Sequence, residues 1–241
     1  MSLTARLIPI LSDNYAWLLR DSVSGAVAVV DPADPDPIIA AVLAAGGRLD
    51  MILLTHHHAD HVAGTDAVRA RFGAKVVGAA ADAHRLPKLD IAVRGGDSVT
   101  LGSVTGLVSE TPGHTLGHIS YYFADGGILL PGDTLFSLGC GRLLEGTAAD
   151  MFASLQSFAV LPDDTLVCCG HEYTQSNARF ALHADPDNTA LQARALAVTK
   201  LREAGEPTLP SRLGDEKREN PFLRAPNIAA LADLRARKDR F

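Results

Sequence analysis

The chain has 241 residues, 47% of them hydrophobic and 21% charged, with a formal net charge of −6 and three cysteines. That length can bury a sizeable core as one large domain, or as a domain with an appended helical piece. The acid excess argues against a chain built to coat nucleic acid, and no apolar run approaches the ~18 residues of a membrane span. The opening Met1-Ser2-Leu3-Thr4-Ala5-Arg6 lacks the apolar stretch of a signal peptide, and Cys140, Cys168 and Cys169 form no C-x-x-C pair. A cytoplasmic protein with buried, reduced thiols and no membrane partner is expected.

Short strands are expected at 6–11, 16–20 and 27–31, with a Ser24-Gly25 turn between the last two. A helix over 38–45 stops at Gly46-Gly47, and a strand follows at 51–55. Directly after its apolar run, Thr55-His56-His57-His58-Ala59-Asp60-His61 gathers four imidazoles and a carboxylate within one turn of chain. Neutral imidazole nitrogens joined by a hard anionic oxygen suit zinc or a first-row metal of similar taste. In extended chain the side chains alternate, so His56 and His58 point to one side and His57 to the other, where a structural hydrogen bond suffices for it. Asp60 and His61 fall where the next helix begins and can face a second ion. The plainer alternatives are a His-rich surface loop, or Asp60 serving only as a helix N-cap.

A helix over 62–72, ended by Gly73, leads to a strand at 75–79. A second strand set follows at 98–101, 105–110, 119–123 and 128–130, with Asp125-Gly126 as a hairpin turn. A helix at 151–158 and a strand at 165–169 complete this part. Three more candidate ligands each follow an apolar or turn-rich segment: His114 in Thr111-Pro112-Gly113-His114-Thr115, Asp133 in Pro131-Gly132-Asp133-Thr134, and His171 in Cys169-Gly170-His171-Glu172. Loops after strands are where an α/β scaffold places its chemistry. Each alone is weak, because Pro-Gly-His and Pro-Gly-Asp are ordinary turns. Together with the first cluster they make seven ligands, enough for two ions. One assignment puts His56, His58 and His114 on the first ion and Asp60, His61 and His171 on the second, with Asp133 bridging.

From Thr174 onward the text shifts to Ala, Leu, Arg and Glu at helical spacing. Helices are expected over 175–184 and 187–204, then a loop with Pro207, Pro210 and Pro221, then a last helix from about 228. Its basic end sets Arg235, Arg237, Lys238 and Arg240 against Asp233 and Asp239, and a solvated helix face is the plain reading of those charges. Alternating strands and helices suggest two sheets with helices outside. The division expected is a catalytic part at 1–173 and a helical segment at 174–241.

The His-x-His-x-Asp-His motif with a later His, Asp and His resembles the metallo-β-lactamase superfamily. The finer text resembles glyoxalase II, the hydroxyacylglutathione hydrolases, through Asn14-Tyr15, Thr111-Pro112-Gly113-His114-Thr115-Leu116-Gly117-His118, Gly139-Cys140-Gly141-Arg142, Glu145-Gly146-Thr147, Gly170-His171-Glu172-Tyr173 and Asn220-Pro221-Phe222-Leu223-Arg224. The resemblance implies an α/β (α+β), four-layer αββα sandwich with a C-terminal helical segment, the metals at the edge between the sheets. It implies two divalent ions, zinc first and iron or manganese otherwise. The implied reaction is hydrolysis of S-(2-hydroxyacyl)glutathione, typically S-D-lactoylglutathione, to glutathione and a 2-hydroxy acid, a step of methylglyoxal degradation. By motif position Arg142, Tyr173, Arg235 and Lys238 bind the glutathione thioester, while Asp133 and Asp60 are the acids of the catalytic centre. One departure stands out: Leu143-Leu144 occupies a stretch where relatives often carry an aromatic, so no hydroxyl contact is available at 144.

Two ions about 3.5 to 4 Å apart would bring the pKa of a shared water toward ~7. A thiolate leaves readily because a thiol titrates at about 8.5. Asp133 can accept the water's proton, and Asp31 is a candidate acceptor for a ligand ring N–H, with capping the Pro32 turn as its other use. His118 lies four residues after His114 and either supports it or packs. His84 and His183 read as surface residues, and Cys140 has no base placed beside it in sequence. Rival functions are a superfamily nuclease, which would want a basic arm, a β-lactamase, which often has Cys where Asp133 stands, a persulfide dioxygenase or other thioester hydrolase, and a non-catalytic binding module. The oligomeric expectation is a monomer or a weak homo-oligomer.

Overall fold

A computed structural model of the protein describes residues 2–241. The chain divides into two compact units, one formed by Met1–Glu110 with Gly117–Gly132, the other by Thr111–Leu116 with Asp133–Phe241.

In the first unit, β1 (Leu3–Ile10), β2 (Asn14–Asp21), β3 (Val27–Val30), β4 (Met51–Leu53), β5 (Lys75–Ala79) and β6 (Ile91–Val93) follow chain order across one sheet. Pairing is antiparallel from β1 to β3 and parallel from β3 to β6. All four residues of β3, antiparallel to β2 and parallel to β4, are buried, as a strand covered on both faces requires, which is why it reads as an unbroken apolar run. The helices α1 (Pro35–Ala44), α2 (Ala59–Val62) and α3 (Thr65–Phe72) connect these strands. The single helix expected over 62–72 is broken at Gly64, whose backbone lies so close to the Pro32 carbonyl that a Cβ would meet it at 2.4 Å. Gly73 ends α3 in the left-handed conformation that only glycine adopts without strain (φ 71°).

The same unit holds an antiparallel meander of β7 (Ser98–Leu101), β8 (Val104–Glu110), β9 (Ile119–Phe123) and β10 (Ile128–Leu130). β8 alternates buried and exposed residues, the pattern of a strand with one wet face. The fully buried Tyr121 hydroxyl donates to the Leu54 carbonyl at 2.9 Å, and the Ile119 amide to the Thr55 carbonyl at 2.9 Å. These two bonds tie the meander to the end of β4, where the His-rich run starts.

The second unit carries a small hairpin, β11 (Leu135–Phe136) with β12 (Gly139–Cys140), and a ladder of β13 (Leu166–Val167) with β14 (Ser211–Arg212). Its helices are α4 (Ala148–Ala159), α5 (Thr174–Ala184), α6 (Thr189–Glu203), α7 (Leu213–Glu219) and α8 (Ile228–Lys238). α4 opens on a reciprocal Thr147/Asp150 capping box and packs against α8. α5 and α6 pack together around Ala178, Ala181, Leu191 and Ala195. The proline-bearing loop expected at 205–227 contains β14 and α7. No helix among the described residues is long and apolar enough to cross a membrane, and the three cysteines are buried thiols outside any disulfide.

Candidate metal and substrate site

The His-rich run leaves the buried end of β4 and turns into α2, which begins at Ala59 with His58 at the N-cap position. Alternation holds here. His56 Nε2 and His58 Nδ1 approach to 3.1 Å, whereas His57 Nδ1 turns to Asp82 Oδ2, also at 3.1 Å. Two donors at 2.0–2.1 Å from one tetrahedral ion stand about 3.3 Å apart, so the first pair has the separation that an ion between them would impose.

The ring orientations are set by one buried carboxylate. Asp31, at the end of β3, adopts a left-handed backbone (φ 50°), tolerated by Asp better than by most residues. Its Oδ1 accepts from the Thr55 amide at 2.9 Å, and its Oδ2 from the Thr55 hydroxyl at 2.7 Å. His61 Nδ1 lies 3.0 Å from the same Oδ2. A carboxylate only accepts, so Nδ1 carries the hydrogen and Nε2 keeps the lone pair a metal needs. Because the Thr55 hydroxyl spends its proton on Asp31, it is an acceptor for His56 Nδ1 at 3.0 Å, and His56 presents Nε2 by the same logic. His118, fully buried, stacks on His56 with centroids 4.9 Å apart. Asp60, its side chain 45% exposed, receives the Asn14 amide on Oδ2 at 3.1 Å and on its carbonyl at 3.0 Å. Asn14 thus takes a role in orienting Asp60 that the Asn14-Tyr15 text did not reveal.

In the second unit His114, Asp133 and His171 are all buried. One oxygen of Asp133 lies 3.5 Å from His114 Nε2 and 3.4 Å from His171 Nε2, so a single carboxylate faces both imidazoles. His114 Nδ1 sits 2.8 Å from the Arg142 carbonyl, which again places its hydrogen on Nδ1 and its lone pair on Nε2. Tyr173 stacks on the His171 ring, with centroids 4.5 Å apart and planes 8° from parallel. At Gly141 an added Cβ would come within 2.0 Å of the Asp133 carbonyl and 3.2 Å of His114 Cβ, so the Gly-Cys-Gly-Arg text is what lets this segment lie against the two ligands.

A cavity of about 610 Å³ opens in this unit, and His114, Asp133, Arg142, Tyr173, Arg235 and Lys238 are among the residues that line it. That volume lies within the range of small-molecule sites. Arg235 is buried, its guanidinium paired with Asp239 at 2.8 Å and lying over the Phe222 ring. Lys238 donates to the Ser176 carbonyl at 3.1 Å and stands over the Phe180 ring. Burial and the neighbouring Arg235 and Arg179 push its ammonium down to about 8. Leu143 and Leu144 line the same cavity, and Leu144 is 54% exposed. Cys140 lines it too, but burial pushes its thiol up to about 11, which leaves little thiolate at neutral pH and weighs against a nucleophile. The chain therefore carries His and Asp groups suited to metal beside residues suited to an anionic ligand.

Comparisons with known proteins agree with this chemistry. Residues 11–171 match the model of the metallo-beta-lactamase superfamily, and residues 172–241 match that of the hydroxyacylglutathione hydrolase C-terminus. A hydroxyacylglutathione hydrolase of Acidiphilium cryptum is 57% identical over 99% of this chain and 97% of its own length, and one of Cereibacter sphaeroides is 50% identical over the whole of both. Among solved structures, ETHE1 from Myxococcus xanthus aligns with a TM-score of 0.72 at 25% identity, covering 97% of this chain and 90% of that one. BJP-1, a subclass B3 metallo-beta-lactamase of Bradyrhizobium japonicum, shares the fold at 19% identity and a TM-score of 0.62, over 100% of this chain and 93% of its own. With one family model covering residues 11–171, the other covering residues 172–241, and near-complete relatives at about half identity, the chain belongs to the hydroxyacylglutathione hydrolase family of the metallo-β-lactamase superfamily.

Proposed function

We propose that the protein hydrolyses the thioester of S-(2-hydroxyacyl)glutathione, S-D-lactoylglutathione being the typical substrate, to glutathione and a 2-hydroxy acid. The observation that carries this reading is that one cavity is lined both by His114 and Asp133 and by Arg142, Tyr173, Arg235 and Lys238. A thioester carbonyl belongs beside His114 and Asp133, and an anionic tripeptide beside Arg142, Arg235 and Lys238.

In this reading His56, His58, Asp60, His61, His114, Asp133 and His171 hold two divalent metal ions, zinc first and iron or manganese otherwise. The donor set fits: His61 and His114 keep their Nε2 lone pairs available, His58 turns Nδ1 toward His56 Nε2, and one carboxylate oxygen lies 3.4 to 3.5 Å from two ring nitrogens. When bound, such ions polarise a carbonyl and make water acidic enough to supply hydroxide at neutral pH. Asp133 accepts the proton of the attacking water, and Asp60, steadied by Asn14, offsets cationic charge. The thiolate leaves without strong help from a general acid because its own pKa is low. Arg142, Arg235 and Lys238 answer the carboxylates of glutathione, and Tyr173 offers an apolar face with a polar tip. The helical segment 174–241 contributes Arg235 and Lys238 to substrate binding, beside a catalytic part at 1–173 that also holds Arg142 and Tyr173. A cytoplasmic location, as a monomer or weak homo-oligomer and without nucleic acid or membrane partner, completes the reading.

The test is a panel of S-D-lactoylglutathione, a small acyl thioester without the tripeptide, a β-lactam and a phosphodiester, run with metal analysis on the same sample. Fastest turnover of the glutathione thioester, with close to two metals per chain, is expected. Preference for the lactam or the diester, or metal without turnover of any thioester, would sink the proposal.

A further inference from the structure

The chemistry above uses neither Glu216 nor Asn220, yet both side chains are wholly buried in the second unit. Burying a carboxylate is unfavourable unless its oxygens are paired and hydrogen-bonded. Here the partners are the turn of the β11–β12 hairpin. Glu216 Oε2 accepts from the Leu138 amide at 2.8 Å, and Asn220 Nδ2 donates to the Phe136 carbonyl at 3.1 Å and the Gly139 carbonyl at 3.0 Å. The same amide reaches Glu216 Oε2 at 3.1 Å. Asn177 Nδ2 donates to the Ser137 carbonyl at 3.0 Å, and Arg194 donates to Ser137 Oγ at 2.8 Å and to Glu216 Oε1 at 2.6 Å. Glu219 also pairs with Arg194, at 3.0 Å.

This cradle surrounds a strained piece of backbone. Leu138 is left-handed (φ 58°), a conformation unfavourable to a non-glycine residue that the hairpin keeps only if its surroundings impose it. The hairpin also joins two parts of the proposed site along the chain. Asp133 lies two residues before β11, while Cys140, which closes β12, receives Arg235 on its carbonyl, and Arg142 follows two residues later.

We propose that Glu216 and Asn220 are positioning residues: by fixing the backbone of residues 136–139 they set Asp133 for metal at one end and residues 140–142 for the glutathione carboxylates at the other. The proposal rests on the functional reading above. It gives the Asn-Pro-Phe-Leu-Arg segment a task at the site without contact to substrate. It also makes metal retention and thiol recognition fail together when the cradle is cut.

The test compares Asn220→Ala with Glu219→Gln in the full chain. Glu219 shares Arg194 but makes no bond to the hairpin, so it reports the purely structural worth of the network. Well below each melting temperature, Asn220→Ala should lose metal to a chelator about tenfold faster than wild type, the scale typical of outer-layer support around metal ligands. It should also raise KM for S-D-lactoylglutathione about tenfold, as small misplacements of binding groups do. Glu219→Gln should lower the melting temperature with both quantities near wild type. Should Asn220→Ala not fold, Asn220→Ser replaces it in the same comparison. A folded Asn220 variant with wild-type KM and wild-type metal loss, or a Glu219→Gln protein that reproduces both defects, overturns the proposal. A wild-type protein inactive on every glutathione thioester removes the functional reading instead, and the chelator rates still decide whether the cradle holds the metal end.

Discussion

Arg235 Nη1 donates to the carbonyl oxygen of Cys140 at 2.8 Å, so a residue of the last helix closes the backbone of the segment that bears Arg142. Its Nε and Nη2 are taken by Asp239 at 3.0 and 2.8 Å, and Nη1 also reaches Cys140 Sγ at 4.0 Å, so all three guanidinium nitrogens are engaged inside the protein. Lysine cannot replace this fork. Arg235→Lys should therefore lower both the melting temperature and kcat/KM for S-D-lactoylglutathione, the latter about tenfold, as loss of a charge-assisted contact worth roughly 1.5 kcal/mol implies. A variant with wild-type melting and wild-type kinetics would show that neither the brace nor the clamp matters.

Lys238 should give the proposed site a pH dependence. Burial disfavours its ammonium and Arg235 and Arg179 repel it, with Cys140 and Asp239 acting the other way, and the result lies at about 8. Below that pH the side chain is charged and attracts a carboxylate; above it the attraction is lost. KM for the glutathione thioester should climb as pH rises through about 8, with kcat little changed, and Lys238→Arg should flatten the climb. For stability the sign is opposite to that of a paired lysine. The unfolded chain binds more protons between about 8 and the ordinary value of 10.5, so this group's penalty on the fold is relieved as pH rises through that window. KM profiles of the two proteins from pH 7 to 9.5 that superimpose would contradict the assignment.

Asp133 faces both His114 Nε2 and His171 Nε2 through one oxygen. Asp133→Asn keeps the shape and removes the charge. If Asp133 holds metal as proposed, bound metal and turnover should fall together, turnover by 100-fold or more, with circular dichroism near wild type, since loss of a ligand's charge is felt by affinity and chemistry alike. Near-wild-type turnover would exclude a bridging role.

His57 provides the contrast. Its Nδ1 is held by Asp82, whose other oxygen takes Arg85 at 2.7 Å. His57→Ala should retain two metals per chain and most of the turnover, while losing about 1 kcal/mol of stability with the hydrogen bond. Loss of one metal equivalent, read by elemental analysis, would mean that the ligand set is misassigned.

Much of this was legible in the text because strand alternation and a four-residue cluster are local. His56, His58 and the outward turn of His57 follow from the period of an extended chain, and α5, α6 and α8 follow from apolar spacing. What the text hid was non-local or too short. The helix α7, Leu-Gly-Asp-Glu-Lys-Arg-Glu, has no apolar stripe; its inward residues include Glu216 and Glu219, and their partner Arg194 lies more than twenty residues upstream. Strands of two or three residues such as β6, β11, β12 and β14 leave no period to count. Thr55 and Asp82 carry no signal as ligands, because their work is to hold other side chains.

The Asp31 carboxylate meets His61 directly and His56 through the Thr55 hydroxyl. Two imidazoles therefore hang from one hook, and neither can be tuned alone. A substitution that lengthens, shortens or neutralises residue 31 changes the tautomer bias of both rings at once, so the tolerance of this position should be narrower than that of either histidine's other neighbours. An engineer wishing to alter one donor would have to supply the other with a replacement acceptor first.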